Sequence, residues 1–261
     1  MDFGIEPWLD GPIGPPRDIG DLWLDDYATR VGAHTEQQQG PAGLVEDMSA
    51  LAGDGFSPDQ LSAEVIDFYV RTSEWRLEVW SRWSALFRPL GALLTGLFSK
   101  RLQQLNLPLD PLDVAKGMTS AVTRITAADG TPRGTAWQRT LRATGQTVFG
   151  GLYGIVDLAN EQRPSIRVVF PLPNGRLSVF LRPENTPGGG LRLVSEGTRW
   201  GEVGAYLVVA EDQRVGWARR IPLPEVFEVF VDDEGVLRAN HVLRFYRWEV
   251  TRFHYRLQPE P

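Results

Sequence analysis

The sequence predicts an α+β fold, in which an N-terminal helical segment packs on a large, curved antiparallel β-sheet that closes like a barrel. Hydrophobic residues alternate with a period of two from about Met118 to the end of the chain, and helix-like spacing precedes that point. Helices followed by strands exclude the nucleotide-binding α/β folds, which interleave the two. Roughly eight to ten strands would leave long edges in an open sheet, so closure is favoured.

Composition and spacing divide the chain into three parts. Residues 1–43 form an acidic, Gly- and Pro-rich tail, residues 44–117 the helical segment, and residues 118–261 the barrel-like domain. The first 60 residues hold twelve Asp or Glu and two Arg, which favours a solvated, partly disordered tail. The tail also carries hydrophobic anchors, among them Trp8 and Trp23, so part of it is expected to dock on the body or on a partner.

Two helices are predicted in the second part. Apolar residues recur at every third or fourth position from about Leu61 to Leu86, which is typical of one helical face. A second helix, Leu90 to Leu105, is apolar around most of its circumference. It either packs in the core or lies in a membrane interface, so peripheral membrane contact through residues 89–105 is an alternative.

The strands of the third part are separated by turn residues. Asn174-Gly175 is expected to form a type I′ hairpin loop, and Asp233-Glu234-Gly235 closes another hairpin. After an alternating stretch from Ser120 to Thr126, strands are predicted at 134–143, 146–157, 165–171, 176–182, 190–196, 204–210, 214–221, 225–232, 236–244 and 247–257.

No catalytic motif, cofactor motif or metal-ligand spacing stands out. The three histidines, His34, His241 and His254, have no metal-like spacing, cysteine is absent, and no nucleophile elbow or phosphate-binding loop occurs. We therefore predict no cofactor, no metal and no catalytic residue; an enzyme of unknown reaction using His241 or His254 is an alternative. Arginines and aromatic residues interleave near the end of the chain, but the acidic pI of about 5.2 argues against nucleic-acid binding.

An aromatic-rich interior is the remaining candidate for function. If the sheet closes with this many strands, it can hold a small apolar ligand, and the alternative is a core filled by side chains. The hypothesis is a non-catalytic intracellular protein that binds a hydrophobic small molecule or lipid. Its rival is a structural or interaction protein whose acidic tail docks on itself or on a protein partner. The ligand-binding candidates are Trp137, Phe149, Tyr153, Phe170, Trp217, His241 and Tyr255.

The expected location is the cytoplasm. Residues 1–10 lack the basic and apolar regions of a signal peptide, and no apolar run reaches the length of a membrane-spanning helix. The absence of cysteine fits a reducing compartment.

Several stretches resemble an uncharacterised family of actinobacterial proteins. They are Phe87–Gly91, Arg101–Leu109, Val169–Gly175 and Phe253–Leu257. The resemblance covers roughly residues 44–258 and leaves the acidic tail outside. It implies a domain boundary and no activity, cofactor or site residue.

Overall fold

A computed structural model describes residues 6–14, 22–37, 40–84, 117–145, 147–211 and 214–260. These residues form two α-helices, α1 (Leu22–Arg30) and α2 (Ala63–Val70), four short 3-10 helices and thirteen strands. The 3-10 helices are Pro7–Leu9, Met48–Leu51, Pro58–Gln60 and Thr72–Glu74. The strands are β1 (Ala33–Gln37), β2 (Trp75–Trp83), β3 (Met118–Ala127), β4 (Pro132–Leu141), β5 (Thr147–Val156), β6 (Ser165–Leu172), β7 (Gly175–Thr186), β8 (Gly190–Val194), β9 (Gly204–Glu211), β10 (Arg214–Ile221), β11 (Glu225–Val231), β12 (Leu237–Phe245) and β13 (Trp248–Pro259).

Ten of the described strands close into an antiparallel barrel, in the order β7-β6-β5-β4-β3-β2-β13-β12-β11-β8 with β8 pairing back to β7. Strand β7 is long enough to serve two neighbours on one side. Its first half pairs with β9 and its second half with β8, so the β9–β10 hairpin extends the sheet outside the ring. The predicted α+β fold with a barrel-like sheet is confirmed.

The pairing register identifies the inner wall of the barrel, because directly paired residues point to the same face of a sheet. Leu77 of β2 pairs with Met118 of β3, which pairs with Leu141 of β4, and all three side chains are buried. Alternate residues on each strand therefore face the interior. The odd-numbered residues of β12 and β13 face inward in the same way, including Leu237, Ala239, Phe253 and Leu257, all buried in the main core.

The closed end of the barrel is plugged by the segment before β2. Ser62 is the N-cap of helix α2, and its hydroxyl accepts a hydrogen bond from the Val65 N–H. Its buried residues Val65 and Phe68 join the main core, and the Phe68 ring meets Trp75 of β2 edge to face at 5.8 Å.

The prediction of one long helix from Leu61 to Leu86 is wrong. Helix α2 ends at Val70, and Trp75–Trp83 is a strand of the barrel. The predicted apolar positions Trp75, Val79 and Trp83 are four residues apart, a spacing that fits a helical face and also two periods of a strand. Within the described part of 44–117, α-helix is confined to α2, and the predicted helix Leu90–Leu105 lies outside the described residues.

The predicted strands of the third part agree closely with those of the structure, and Asp232 caps the hairpin at Asp233-Glu234-Gly235 by accepting from the Val236 N–H at 2.9 Å. The loop at Asn174 differs from the prediction. The turn residues are Pro173 and Asn174, because Leu172 pairs with Gly175, and Asn174 has a φ of 54°. Proline fixes a negative φ, so a type I′ loop is excluded.

The outer face of the barrel is partly covered by the N-terminal residues. Trp23 and Tyr27 of α1 are buried against Ile125, Leu152 and Val169 on the outer face of β3, β5 and β6. Further along the wall, Trp8 and Leu9 pack on the outer face of β7 and β9, where the Trp8 ring meets those of Phe180 and Tyr206 edge to face.

Candidate functional site

At one end of the barrel, the described residues cover the inner wall only in part. This open end is where β2, β4, β6 and β12 finish and where β7 and β11 begin. Some inward-facing residues here are half-buried or exposed, whereas others, among them Leu141 at the end of β4 and Phe149 near the start of β5, are buried. On β2, for example, Leu77 and Val79 are buried and Ser81 is exposed. The half-buried inward residues are Arg139, Phe170, Leu177, Glu225, Phe227, His241, Leu243 and Tyr255.

Four of the predicted ligand-binding residues meet along one side of the inner wall. Trp137 of β4 contacts Phe149 and Tyr153 of β5, with ring centroids 5.2 and 5.6 Å apart. Phe149 in turn meets Phe170 of β6 at 5.3 Å, and each of these pairs is edge to face. These four rings form a continuous aromatic wall, three of them buried and Phe170 half-buried.

Arg139 joins the aromatic wall and was missed by the sequence reasoning. Its guanidinium carbon lies 4.4 Å from the centre of the Trp137 ring and 4.1 Å from that of Phe149. It is also 5.9 Å from the ring of Tyr255, which projects from β13 across the barrel. The available signal was its position two residues after Trp137 on one strand, which places both side chains on one face. The cation thus sits inside the barrel among aromatic faces.

Three neighbouring residues on this wall each have a buried polar atom without a hydrogen-bond partner. The atoms are Oγ of Ser120, Nε1 of Trp137 and Nε of Arg139. Ser120 is the direct cross-strand partner of Arg139 in the β3–β4 pair. These atoms are three of thirteen such atoms among the described residues, and these three belong to neighbouring positions of the inner face.

His241 is held on the opposite side of the interior, on β12. Its ring stacks on Phe227 at 3.8 Å with an interplanar angle of 13°, and lies 5.4 Å from Phe253 on the other neighbouring strand. Its Nε2 is 2.9 Å from a carboxylate oxygen of Glu225, and both side chains are 14% exposed. The sequence reasoning missed Glu225 and Phe227, although their alternation on one strand predicts a shared face.

Tyr153 connects the two sides electrostatically. Burial raises the pKa of its phenol well above the usual range, the nearby Arg139 cation opposes that rise, and Glu225 and Tyr255 add to it. The phenol therefore lies within electrostatic reach of both the guanidinium and the Glu225–His241 pair, and stays protonated and uncharged at neutral pH.

Two other sequence candidates lie outside this cluster. Trp217 is on β10, beyond the ring, and is 49% exposed. His254 faces outward on β13, since its neighbour Phe253 faces inward, and its Nδ1 is 2.8 Å from the Asn240 side-chain oxygen. Burial and the neighbouring Arg238 lower the His254 pKa, and Asp232 opposes them. The two strand histidines are thus on opposite faces and cannot act together.

Two open grooves of about 470 Å³ each mark the surface of the described residues. One lies beside the open end, between the end of β10 and the β12–β13 hairpin, and is lined by Arg220, Ile221, Arg244, Tyr246 and Arg247 among others. The second is polar and lies around Arg163, Arg182 and Glu196. Neither groove is lined by the aromatic wall. Within the described residues, no group of three or more His, Asp or Glu is placed to hold a metal ion.

Comparison with known proteins gives one relative and no family. The chain is 30% identical over 246 residues to the uncharacterized membrane protein YndJ of Bacillus subtilis strain 168. The match covers 92% of this chain and 41% of YndJ, so the chain spans about two fifths of that relative's length. No protein-family profile and no solved structure matches the chain.

YndJ bears on two of the expectations drawn from the sequence. A resemblance to an uncharacterised bacterial protein is supported, whereas an actinobacterial family is not among these findings. The expectation of a cytoplasmic location is contradicted, because the relative is named a membrane protein. Among the described residues, no helix has the length and apolar character needed to cross a bilayer.

Proposed function

We propose that the open end of the barrel binds a hydrophobic small molecule or lipid and performs no chemistry on it. The observation that carries this proposal is that several inward-facing aromatic residues of the described barrel are only half-buried. In a closely packed interior, an inward residue near the middle of a strand is expected to be buried. Tyr255 lies near the middle of β13 and faces inward, yet it is half-buried.

The inner wall alternates large and small residues. Gly151 follows the bulky Phe149 on the inner face of β5, and Ala239 stands directly opposite Tyr255. An apolar ligand here would cover the exposed parts of Phe170, Phe227 and Tyr255. Burying such surface stabilises a complex by about 25 cal/mol per Å², before the losses of freedom on binding.

The residues at the rim of the open end favour a membrane bilayer as the source of the ligand. The β12–β13 hairpin exposes Phe245, Tyr246 and Trp248, at 41%, 65% and 54%, and Arg247 lies 5.3 Å from the Trp248 ring. Aromatic residues beside cations are typical of segments that sit at the headgroup level of a membrane. Tyr246 has a φ of 52°, a strained conformation for a bulky residue and one that is enriched at functional loops. The name of YndJ, a membrane protein, agrees with this setting.

Native mass spectrometry of the detergent-free chain tests the proposal, together with extraction of any bound lipid. Leu243 is the inward residue nearest the rim on β12, and Leu243→Trp should fill the entrance and remove the bound species. Its neighbour Val242 faces outward, so Val242→Trp is the matched control and should leave binding unchanged. The proposal would be contradicted if the unaltered chain neither carried nor took up an apolar molecule. It would also be contradicted if Leu243→Trp and Val242→Trp had the same effect on binding.

A second candidate, a structural role for the acidic tail, is favoured by a separate observation. Arg176 is 1% exposed, and its guanidinium donates to the carbonyls of Leu9 and Gly11 at 2.9 and 3.1 Å. Arg167 donates to the Asp10 carbonyl at 2.9 Å. These contacts support a tail that docks on its own barrel. Contact with a separate protein partner through residues 1–43 has no such support.

A further inference from the structure

Three neighbouring residues of the inner wall have hydrogen-bond donors without an acceptor. Ser120 Oγ, Trp137 Nε1 and Arg139 Nε are all buried without a partner. The three residues occupy adjacent inner-face positions, since Ser120 stands opposite Arg139 and Trp137 precedes Arg139 by two residues on β4. An unmade hydrogen bond on a buried polar atom is unfavourable, so such a cluster indicates a site shaped for a partner that is not part of the protein.

The positive charge of Arg139 is also uncompensated by a carboxylate. No acidic side chain among the described residues forms an ion pair with it. The inward-facing acid Glu225 is instead engaged by His241 at 2.9 Å. The faces of Trp137 and Phe149 attract the guanidinium, but aromatic rings accept no hydrogen bond in its plane, where its donors point. Nε of Arg139, which is buried, therefore has no acceptor among the described residues.

We propose that the ligand is an amphiphile with an anionic oxygen head, a carboxylate or a phosphate monoester, held by Arg139 with Trp137 and Ser120 as further donors. This inference rests on the proposed function and specifies the chemistry of its ligand. A carboxylate or phosphate offers only acceptors, which matches a wall that offers donors. The apolar chain would lie against Phe170, Tyr255 and Phe227, which line the rest of the open end.

Isothermal titration calorimetry with three probes of equal chain length tests the inference. Sodium dodecanoate and dodecyl phosphate carry the two anionic heads, and dodecanol carries none; each is used below its critical micelle concentration. The unaltered chain should bind both anions about tenfold more tightly than dodecanol, as expected for a charge-assisted hydrogen bond in a protected site. A difference between the two anions would tell a carboxylate ligand from a phosphate one.

Two variants locate the effect. Arg139→Gln should reduce the preference for the anions to within about twofold and leave dodecanol binding unchanged. Ser120→Ala, a smaller change, should weaken only the anions, by about threefold. The matched control is Arg252→Gln on the outer face of β13, where Arg252 pairs with Glu249 at 2.8 Å, and it should alter none of the three. Circular dichroism establishes that each variant is folded.

The outcomes separate the two proposals. Equal binding of all three probes, unaffected by Arg139→Gln, would overturn the anionic head and leave an apolar site. A folded Arg139→Gln chain that loses all three probes equally would assign Arg139 a packing role and also overturn the inference. Failure of every probe to bind the unaltered chain would count against the hydrophobic site itself.

Discussion

Single buried side chains control how the fold responds to pH. Tyr69 and Tyr153 are both buried in the main core, and burial raises the pKa of each phenol well above its usual range. The folded chain keeps these protons, whereas the unfolded chain releases them at about pH 10. The folded state then binds more protons than the unfolded state, so the free energy of unfolding falls as the pH rises above about 10.

We predict that Tyr69→Phe and Tyr153→Phe reduce this alkaline loss of stability. The measurement is urea unfolding at about pH 8 and about pH 10.5, on either side of the unfolded-state pKa. Each variant should lose less stability between the two pH values than the unaltered chain. Tyr246→Phe, at the exposed hairpin, is the control and should behave like the unaltered chain. An unchanged pH dependence in the buried-tyrosine variants would contradict the assignment.

The candidate site could be predicted from the sequence only in part. Trp137, Phe149, Tyr153, Phe170, His241 and Tyr255 were identified as aromatic or polar residues on alternating strands, and the structure places all six on the inner wall. Trp217 also lies on a strand with alternating apolar and polar residues, but that strand, β10, is not one of the ten strands of the closed barrel. Arg139 and Glu225 were missed because charged residues on a strand are usually assigned to the solvent face, and a closed interior reverses that expectation.

At the scale of elements, the N-terminal segment is an outer layer attached to the barrel. Arg176 and Arg167 supply polar contacts to residues 9–11, and Trp8, which is 7% exposed, supplies an apolar one. Burial lowers the pKa of Arg176 to about 10, so the cation is held in a poorly solvated place where the Leu9 and Gly11 carbonyls must stabilise it.

We predict that Arg176→Met detaches this segment. Removing the guanidinium leaves the Leu9 carbonyl without a donor and the Gly11 carbonyl with Arg30 alone, and an orphaned buried group costs roughly 1–3 kcal/mol. Guanidinium chloride unfolding should show a loss of about 2 kcal/mol or more, and limited proteolysis should cleave the chain near residue 10 sooner. Arg199→Met is the matched control, because that side chain is 83% exposed. Equal stability of the two variants would refute the docking contact.

The barrel closes where β8 pairs with β7 on one side and β11 on the other, and this closure requires a glycine, Gly190, in β8. A Cβ on Gly190 would lie 2.3 Å from Oγ1 of Thr186 on β7 and 3.0 Å from the carbonyl of Val229 on β11. Gly190→Ala should therefore force the three strands apart and destabilise the fold by roughly 1–3 kcal/mol. Gly154→Ala on β5 is the control, since its nearest contact would be the flexible Arg167 side chain at 3.4 Å. The melting temperatures of the two variants measure the difference, and equal values would contradict tight packing at Gly190.

Helices and strands could be predicted where the spacing of apolar residues fits only one kind of element. They could not be predicted where the spacing fits both a helix and a strand. The predicted bounds of the strands after Met118 agree closely with the structure. Apolar and polar residues alternate there in short runs separated by turn residues, and no helix produces that pattern. The stretch Trp75–Trp83 was assigned to a helix because its apolar spacing of four fits both periods, and the preceding helix α2 extended the apparent pattern. Only the cross-strand partners of β2, supplied by the distant β13, decide between the two.

At the scale of the whole molecule, the described residues plug one end of the barrel and leave the other end open, and the exposed aromatic hairpin lies at that open end. The number of predicted strands indicated that the sheet closes into a barrel. It did not indicate that the pairing of β7 with β8 closes the ring. That pairing depends on β7 being shared between β8 and β9, which is a long-range property. The cytoplasmic location, predicted from the absence of a signal peptide, of a spanning segment and of cysteine, is contradicted by the name of the relative, of which the chain covers about two fifths.

We predict that the open end binds anionic bilayers. Trp248→Ala should reduce cosedimentation with vesicles of phosphatidylcholine and phosphatidylglycerol several-fold, since an interfacial Trp contributes much of the apolar contact of a peripheral protein. Trp217→Ala is the matched control, because Trp217 is similarly exposed at 49% but lies on β10. Equal loss in both variants would contradict a docking surface confined to the hairpin.

The most direct test of the central claim is a crystal structure of the chain soaked with a bromine-terminated dodecanol. This neutral probe does not depend on Arg139. We expect the anomalous bromine signal inside the barrel, within contact distance of Phe227, Phe170 or Tyr255. A bromine signal found only on the outer surface, with the inner wall packed side chain to side chain, would contradict a ligand-binding barrel.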